Sequence, residues 1–229
     1  MDLMKCTVHR TRRRWQERKL TTTITMWADV RCPWCWIGHR QLGRALDQLG
    51  PDTKVEYRSL LLEPDGPAQP GMTVRDAALT SWGFDAARWA AQRNRIVQGG
   101  AAETLTIDID TSLTVDSRAA HRLLKLVAAR RLNRFVAWDA LYSSHFERNE
   151  DIGDWIVLRS IGLRVGLADD GITRLEESDE YSSDVDDDLR RAADLGISSV
   201  PTVMVDSVRA TGDLSLSVPR LANGPVVDR

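Results

Sequence analysis

A chain of 229 residues, 42% hydrophobic and 28% charged, is long enough for one domain carrying a large insertion, and its balance excludes wholesale disorder, collagen-like repeats and coiled-coil arrays. No apolar run reaches the ~18 residues that a membrane-spanning helix needs, and three cysteines are too few for a disulfide framework. The formal net charge of −2 conceals a basic arm (Lys5, Arg10, Arg12, Arg13, Arg14, Arg18, Lys19) ahead of an acidic body.

The arm, residues 1–20, is expected to be disordered. Arg14 is followed by Trp15-Gln16-Glu17-Arg18-Lys19, which is no apolar core for a secretory signal, and this points to the cytoplasm. Its basic residues show no periodicity, so they read as a solvated tail rather than a nucleic-acid surface. Residues 21–30 are rich in β-branched and aromatic side chains and predict a buried strand. The strand runs straight into Cys32-Pro33-Trp34-Cys35. Beyond it, Ile37, Leu42, Ala45, Leu46 and Leu49 recur at helical spacing until Gly50-Pro51 stops them. A second strand is expected over 54–62, before a segment broken by Pro64, Gly66, Pro67, Pro70 and Gly71.

Residues 73–178 carry the period of helices. Ala77, Leu79, Trp82, Trp89 and Ile96 mark one stretch; Ala119, Leu123, Leu124, Val127 and Ala128 a second; Phe135, Trp138, Leu141, Tyr142 and Phe146 a third; Trp155, Leu158 and Ile161 a fourth. Asp184, Asp186, Asp187 and Asp188 read as a solvated acidic face, without the mid-loop glycine and distal glutamate of a calcium loop. A helix through Leu189, Ala192, Ala193 and Leu195 then stops at Gly196. A last strand over 200–205 has Pro201 near its start, where a missing ladder donor is tolerated.

Two thiols two residues apart at the start of a helix can close a reversible disulfide. Cys32 is expected to face solvent beyond the helix N-terminus, where unpaired N–H groups and the macrodipole favour a thiolate and lower a thiol pKa from about 8.5. Cys35, one turn further in, would resolve the mixed disulfide. Pro33 suits the first helical turn. The same spacing also builds half of a zinc site, and Cys6 and His9 would complete four ligands with Cys32 and Cys35. Against zinc, Pro33 and Trp34 fill the spacer and a strong strand signal precedes it. His39, one turn past Cys35, reads as a solvated helix-surface residue; His121 and His145 lack metal spacing and read as structural.

The segment from Trp27 through Asp29, Cys32-Pro33-Trp34-Cys35 and Gly38, together with Leu60-Leu61-Leu62-Glu63-Pro64, Asp151-Ile152-Gly153-Asp154 and Gly196 through Val200-Pro201-Thr202, resembles the DsbA-like thioredoxin family, most nearly its FrnE-like cytoplasmic dithiol oxidoreductases. The resemblance covers about 21–213. It implies an α/β thioredoxin fold interrupted by an all-helical insertion, with thioredoxin parts at 21–64 and 180–229 and the insertion at 65–179. It implies Cys32 as nucleophile, Cys35 as resolving thiol and Pro201 as a cis-proline beside them, with Pro33, Trp34 and Val200 meeting the substrate. It implies no cofactor and no metal, and as partners disulfide-containing polypeptides or low-molecular-weight thiols; the oligomeric state is left open, a dimer included. Glutathione-dependent isomerases and kappa-type transferases share the architecture but generally keep a serine at the nucleophile position. Trp34 stands where strongly oxidising relatives have a histidine, which predicts a weaker oxidant acting as reductase or isomerase. Pro219 falls where the family has its C-terminal helix and is expected to shorten or break it.

Overall fold

The computed structural model describes residues 22–50 and 53–223. In chain order these form β1 (Thr23–Ala28), α1 (Pro33–Leu46), β2 (Lys54–Ser59), α2 (Val74–Thr80), α3 (Ala86–Ala102), α4 (Arg118–Ala129), α5 (Arg134–Phe146), α6 (Trp155–Arg164), α7 (Asp169–Glu176), α8 (Ser182–Asp194), β3 (Thr202–Val205), β4 (Val208–Ala210) and α9 (Leu214–Ala222). The four strands make one mixed sheet in the order β2-β1-β3-β4. β1 runs parallel to β2, with α1 as the crossover, while β3 is antiparallel to β1 and β4 to β3. This is a thioredoxin fold, with helices α2–α7 inserted after β2.

Alternation along β1 sorts the two faces of the sheet. Ile24, Met26 and Ala28 enter the main core with Leu42 and Ala45 of α1, and Trp27 packs on the other side against Ala192 and Ile197. α1 itself is wedged among α3, α5 and α9, so the motif at its N-terminus faces the inserted helices as well as the sheet. Five helices begin at side-chain caps: Thr73, Asp85, Asn133, Asp154 and Asp213 each accept from a backbone N–H of the first turn. α1 differs, because Cys32 at its N-cap makes no side-chain cap bond and Pro33 follows.

Four expectations need correction. The stretch from Ala77 to Ile96 is two helices, α2 and α3, because Gly83 takes a positive φ of 72° and Asp85 caps a fresh start. α1 ends at Leu46, short of Gly50, while Leu49 still packs against the core from the following turn. The acidic run lies inside α8, and Asp188 is not solvated. It is 1% exposed, accepts from the Ser59 N–H at 2.7 Å and Arg58 Nη1 at 2.9 Å, and pairs with Lys125.

Finally, α9 runs through Pro219. A proline removes the N–H that would bond the carbonyl four residues back, here that of Ser215, and Gln48 Nε2 donates to that oxygen at 3.2 Å. Gln48→Ala is therefore expected to destabilise the protein by about 1 kcal/mol, measured as a urea midpoint, and by clearly less in a Pro219→Ala background that restores the N–H. Equal losses in both backgrounds would refute this account of the intact helix.

Candidate active site

After Ala28 the chain leaves the sheet in a tight turn closed by the Cys32 N–H donating to the Asp29 carbonyl at 3.1 Å. α1 then starts, with the Cys35 N–H donating to the Cys32 carbonyl at 2.9 Å. The strand ends, the turn forms and the helix begins within a few residues, which places both thiols at one helix N-terminus. Both are free. Cys35 is fully buried beneath Cys32, and burial pushes its thiol well above the ordinary range, with the Cys32 sulfur adding to the effect.

Cys32 does not face open solvent, contrary to expectation: it is 5% exposed. It lines a cleft of about 300 Å³ with Pro33, Trp34 and Val200, opposite an aromatic wall of Trp82, Phe84 and Trp89 from α3 and the turn before it. The Cys32 thiol donates to the Val200 carbonyl at 3.8 Å, and the Val200–Pro201 peptide is cis. A second cleft, about 610 Å³, lies along Trp34, Gly38, Gly99, Pro201 and Asp213, so Trp34 lines both. The structure thus brings together Cys32, Cys35, Pro33, Trp34, Val200 and Pro201. Cys6 and His9 lie outside the described residues; among the described residues no group of three or more His, Cys, Asp or Glu side chains is placed to hold a metal.

Under the motif sits a polar network centred on Asp29 and His121, both fully buried. The Asp29 carboxylate accepts from the N–H of Arg31 at 3.1 Å, the N–H of Leu62 at 2.7 Å and His121 Nε2 at 3.4 Å. With that proton on Nε2, His121 Nδ1 accepts from the Ser59 hydroxyl at 2.9 Å. Burial alone would raise the Asp29 carboxyl; the hydrogen bond from His121, with those from the two N–H groups, outweighs it and holds the carboxyl below its usual range. One carboxylate therefore ties the motif turn to the loop after β2 and to α4.

His39 and His145 are also core residues. His39 is fully buried, contrary to the solvated expectation: it stacks on Phe135 with ring centroids 3.7 Å apart and meets the Tyr57 hydroxyl through Nδ1 at 2.9 Å. His145 lines the Cys32 cleft. Its burial, though not its place beside the thiol, was legible as spacing: Trp138, Leu141, Tyr142 and His145 fall on one face of α5, and all four are buried. Asp188 likewise falls in register with Val185 and Ala192, the buried stripe of α8. Arg31, beside Cys32 and 8% exposed, carries no such signal.

A thioredoxin fold with a Cys-x-x-Cys pair at the N-terminus of its first helix, faced by a cis-proline loop, defines the class of dithiol-bearing thioredoxin-like proteins. Within that class the chain belongs to the DSBA-like thioredoxin domain family, whose model matches residues 23–220. No curated protein matches the chain in sequence. Among solved structures it is similar to a probable DsbA oxidoreductase from Streptomyces coelicolor, with a TM-score of 0.82 and 22% identity over 91% of this chain and 92% of that one. It is also similar to the cytosolic disulfide reductase DsbM from Pseudomonas aeruginosa, with a TM-score of 0.57 and 17% identity over 87% and 96% of the two chains. A 2-hydroxychromene-2-carboxylate isomerase shares the fold at a TM-score of 0.64 and 11% identity, covering 88% of this chain and 94% of that one. Among the described residues no helix is long and apolar enough to cross a membrane.

Proposed function

We propose that the protein is a thiol–disulfide oxidoreductase that cycles Cys32 and Cys35 between dithiol and disulfide on protein or low-molecular-weight disulfides. The observation that carries this reading is the stacked pair of free thiols, one at a helix N-cap lining a cleft and the other buried directly behind it. The Cys32 thiolate attacks one sulfur of a partner disulfide, forms a mixed disulfide and expels the other half as a thiolate. Cys35 then gives up its proton and attacks the Cys32 sulfur. The Cys32–partner bond breaks as the Cys32–Cys35 bond forms, and the second half leaves, taking up the proton as a thiol. The partner disulfide is reduced to one thiolate and one thiol, and the protein pair is oxidised to its disulfide.

In this reading Pro33, Trp34 and Val200 contact the substrate and Pro201 shapes the rim. An extended peptide would take backbone hydrogen bonds at Val200 as an added strand. The Cys32 thiol meets an acceptor, the Val200 carbonyl, and the spacer residues Pro33 and Trp34 offer its sulfur no cationic or hydroxyl donor, which supports a reductase or isomerase over a strong oxidant. We assign the protein to the cytoplasm, the compartment named for its structural neighbour DsbM. We read 21–64 and 180–229 as the thioredoxin parts and 65–179 as the insertion.

After mild oxidation, peptide mass spectrometry is expected to show a Cys32–Cys35 disulfide. Insulin reduction should fall at least ~100-fold in Cys32→Ser, and Cys35→Ser should accumulate mixed disulfides on Cys32. Two free thiols at these positions after oxidation would refute the reading. Turnover of an electrophilic or chromene substrate that needs added thiol and survives Cys35→Ser would replace it with the isomerase or transferase chemistry of the same fold.

A further inference from the structure

Among the described residues, two buried donors beside Cys32 have no acceptor. Arg31 donates through Nη2 to Glu63 Oε2 at 2.5 Å and through its backbone N–H to Asp29, while Nη1, on the other edge of the guanidinium, is shielded from water and unpaired. His145, 1% exposed, has neither ring nitrogen hydrogen-bonded; the Glu150 backbone approaches the ring without reaching hydrogen-bond geometry. Buried donors without partners are rare in folded proteins because each has given up its bond to water. Both residues line the Cys32 cleft, and among the described residues no carboxylate lines it. A guanidinium edge and an imidazole therefore border an otherwise mostly apolar chamber, whose aromatic side is formed by Trp82, Phe84 and Trp89.

We propose that this cleft recognises a carboxylate on a low-molecular-weight disulfide, with Arg31 Nη1 and a His145 ring N–H donating to its oxygens while the aromatic wall covers the apolar or aromatic part of the molecule. The inference rests on the reading of Cys32 as the attacking thiol. It adds which disulfides reach that thiol fastest. The volume, about 300 Å³, is at the small end for ligand sites and suits one half of a small disulfide. Burial and the nearby Arg31 cation push His145 down to about 4, so at neutral pH it offers a single N–H without charge, and the charge complement comes from Arg31.

The reduced full-length protein is to be mixed with two aromatic disulfides of similar size, dithiobis(nitrobenzoate), with a carboxylate on each ring, and dithiodipyridine, with none. The readout is the ratio of the two second-order rate constants, which cancels any change in the reactivity of Cys32 itself. Arg31→Gln should lower the ratio roughly tenfold and His145→Phe, which changes no charge at neutral pH, roughly fivefold, whereas His145→Gln, keeping a donor, should hold it near the wild-type value. A ratio unchanged within twofold in folded His145→Phe, or both rate constants falling together in Arg31→Gln, overturns the inference. A measurement without the redox step separates this failure from that of the proposed function: calorimetric binding of nitrobenzoate, against uncharged nitrobenzyl alcohol, to Cys32→Ser. Preference for the carboxylate that His145→Phe weakens supports the site even if Cys32 does not cycle. No preference overturns it even if Cys32 does.

Discussion

Asp29→Ala is expected to destabilise the protein by about 3–5 kcal/mol, the largest loss for any single polar side chain near the site. The carboxylate is fully buried and accepts from the N–H groups of Arg31 and Leu62 and from His121. Alanine would leave the Arg31 N–H and an imidazole N–H without acceptors in a dry interior, at about 1–3 kcal/mol each before any relaxation, and the part-buried Leu62 N–H without its acceptor as well. For a chain of this size that corresponds to a fall in melting temperature on the order of 10 °C. Asp29→Asn keeps one acceptor but turns a donor toward the network, so its loss should be smaller and still clear. A melting temperature within 2 °C or so of wild type for Asp29→Ala, in the sense of roughly 2–4 °C per kcal/mol, would show that water fills the gap and that the network is not a support of the motif turn.

The reason this network matters for the thiols is positional. The same turn that presents Cys32 is pinned at the Arg31 N–H by Asp29 and at the Cys32 N–H by the Asp29 carbonyl. Loosening it would let Arg31 and Cys32 move together, which is why Asp29 variants should be compared by the rate of the Cys32 reaction as well as by stability.

The strand–motif–helix unit was legible because its signals are local: a β-branched run, a proline suited to the first turn, and an apolar stripe through Leu42 and Ala45. What covers Cys32 was not, since Trp82, Trp89, Ile109 and His145 reach the cleft from elements far along the chain, and only tertiary packing brings them there. The same holds for His39. Helical spacing puts it one turn past Cys35, but nothing in the spacing shows that Phe135 of α5 and Tyr57 of β2 will close over the ring. The split between α2 and α3 failed for a different reason. Apolar period continues through Trp82, and the break lies in the conformation of Gly83 and the cap at Asp85, two residues whose local preference overrides the period. Pro219 failed in the opposite direction: the local rule is sound, and a distant glutamine satisfies the carbonyl it leaves.

Mild acid should unfold the protein before its carboxylates titrate. Burial, reinforced by Arg40, pushes His39 down to about 3, and burial, reinforced by Arg31, pushes His145 down to about 4. In the unfolded chain both return to about 6.5. Between pH 6.5 and 4 the unfolded state therefore binds up to two protons that the folded state refuses, so stability falls as pH falls, by as much as about 1.4 kcal/mol per pH unit for each histidine. The loss from His145 levels off near pH 4 and that from His39 near pH 3, where the folded protein accepts the protons too. Asp29 acts only lower still, because its folded carboxyl titrates below the ordinary 3.8 and its contribution is lost as pH drops through that region. Urea midpoints taken from pH 7.5 down to 4.5 should fall steadily, and His145→Phe should flatten the slope by about one proton relative to wild type, even if it is less stable at neutral pH. An unchanged slope in that variant would mean that His145 takes up its proton in the folded state, where Asp29 favours the charge and burial and Arg31 oppose it.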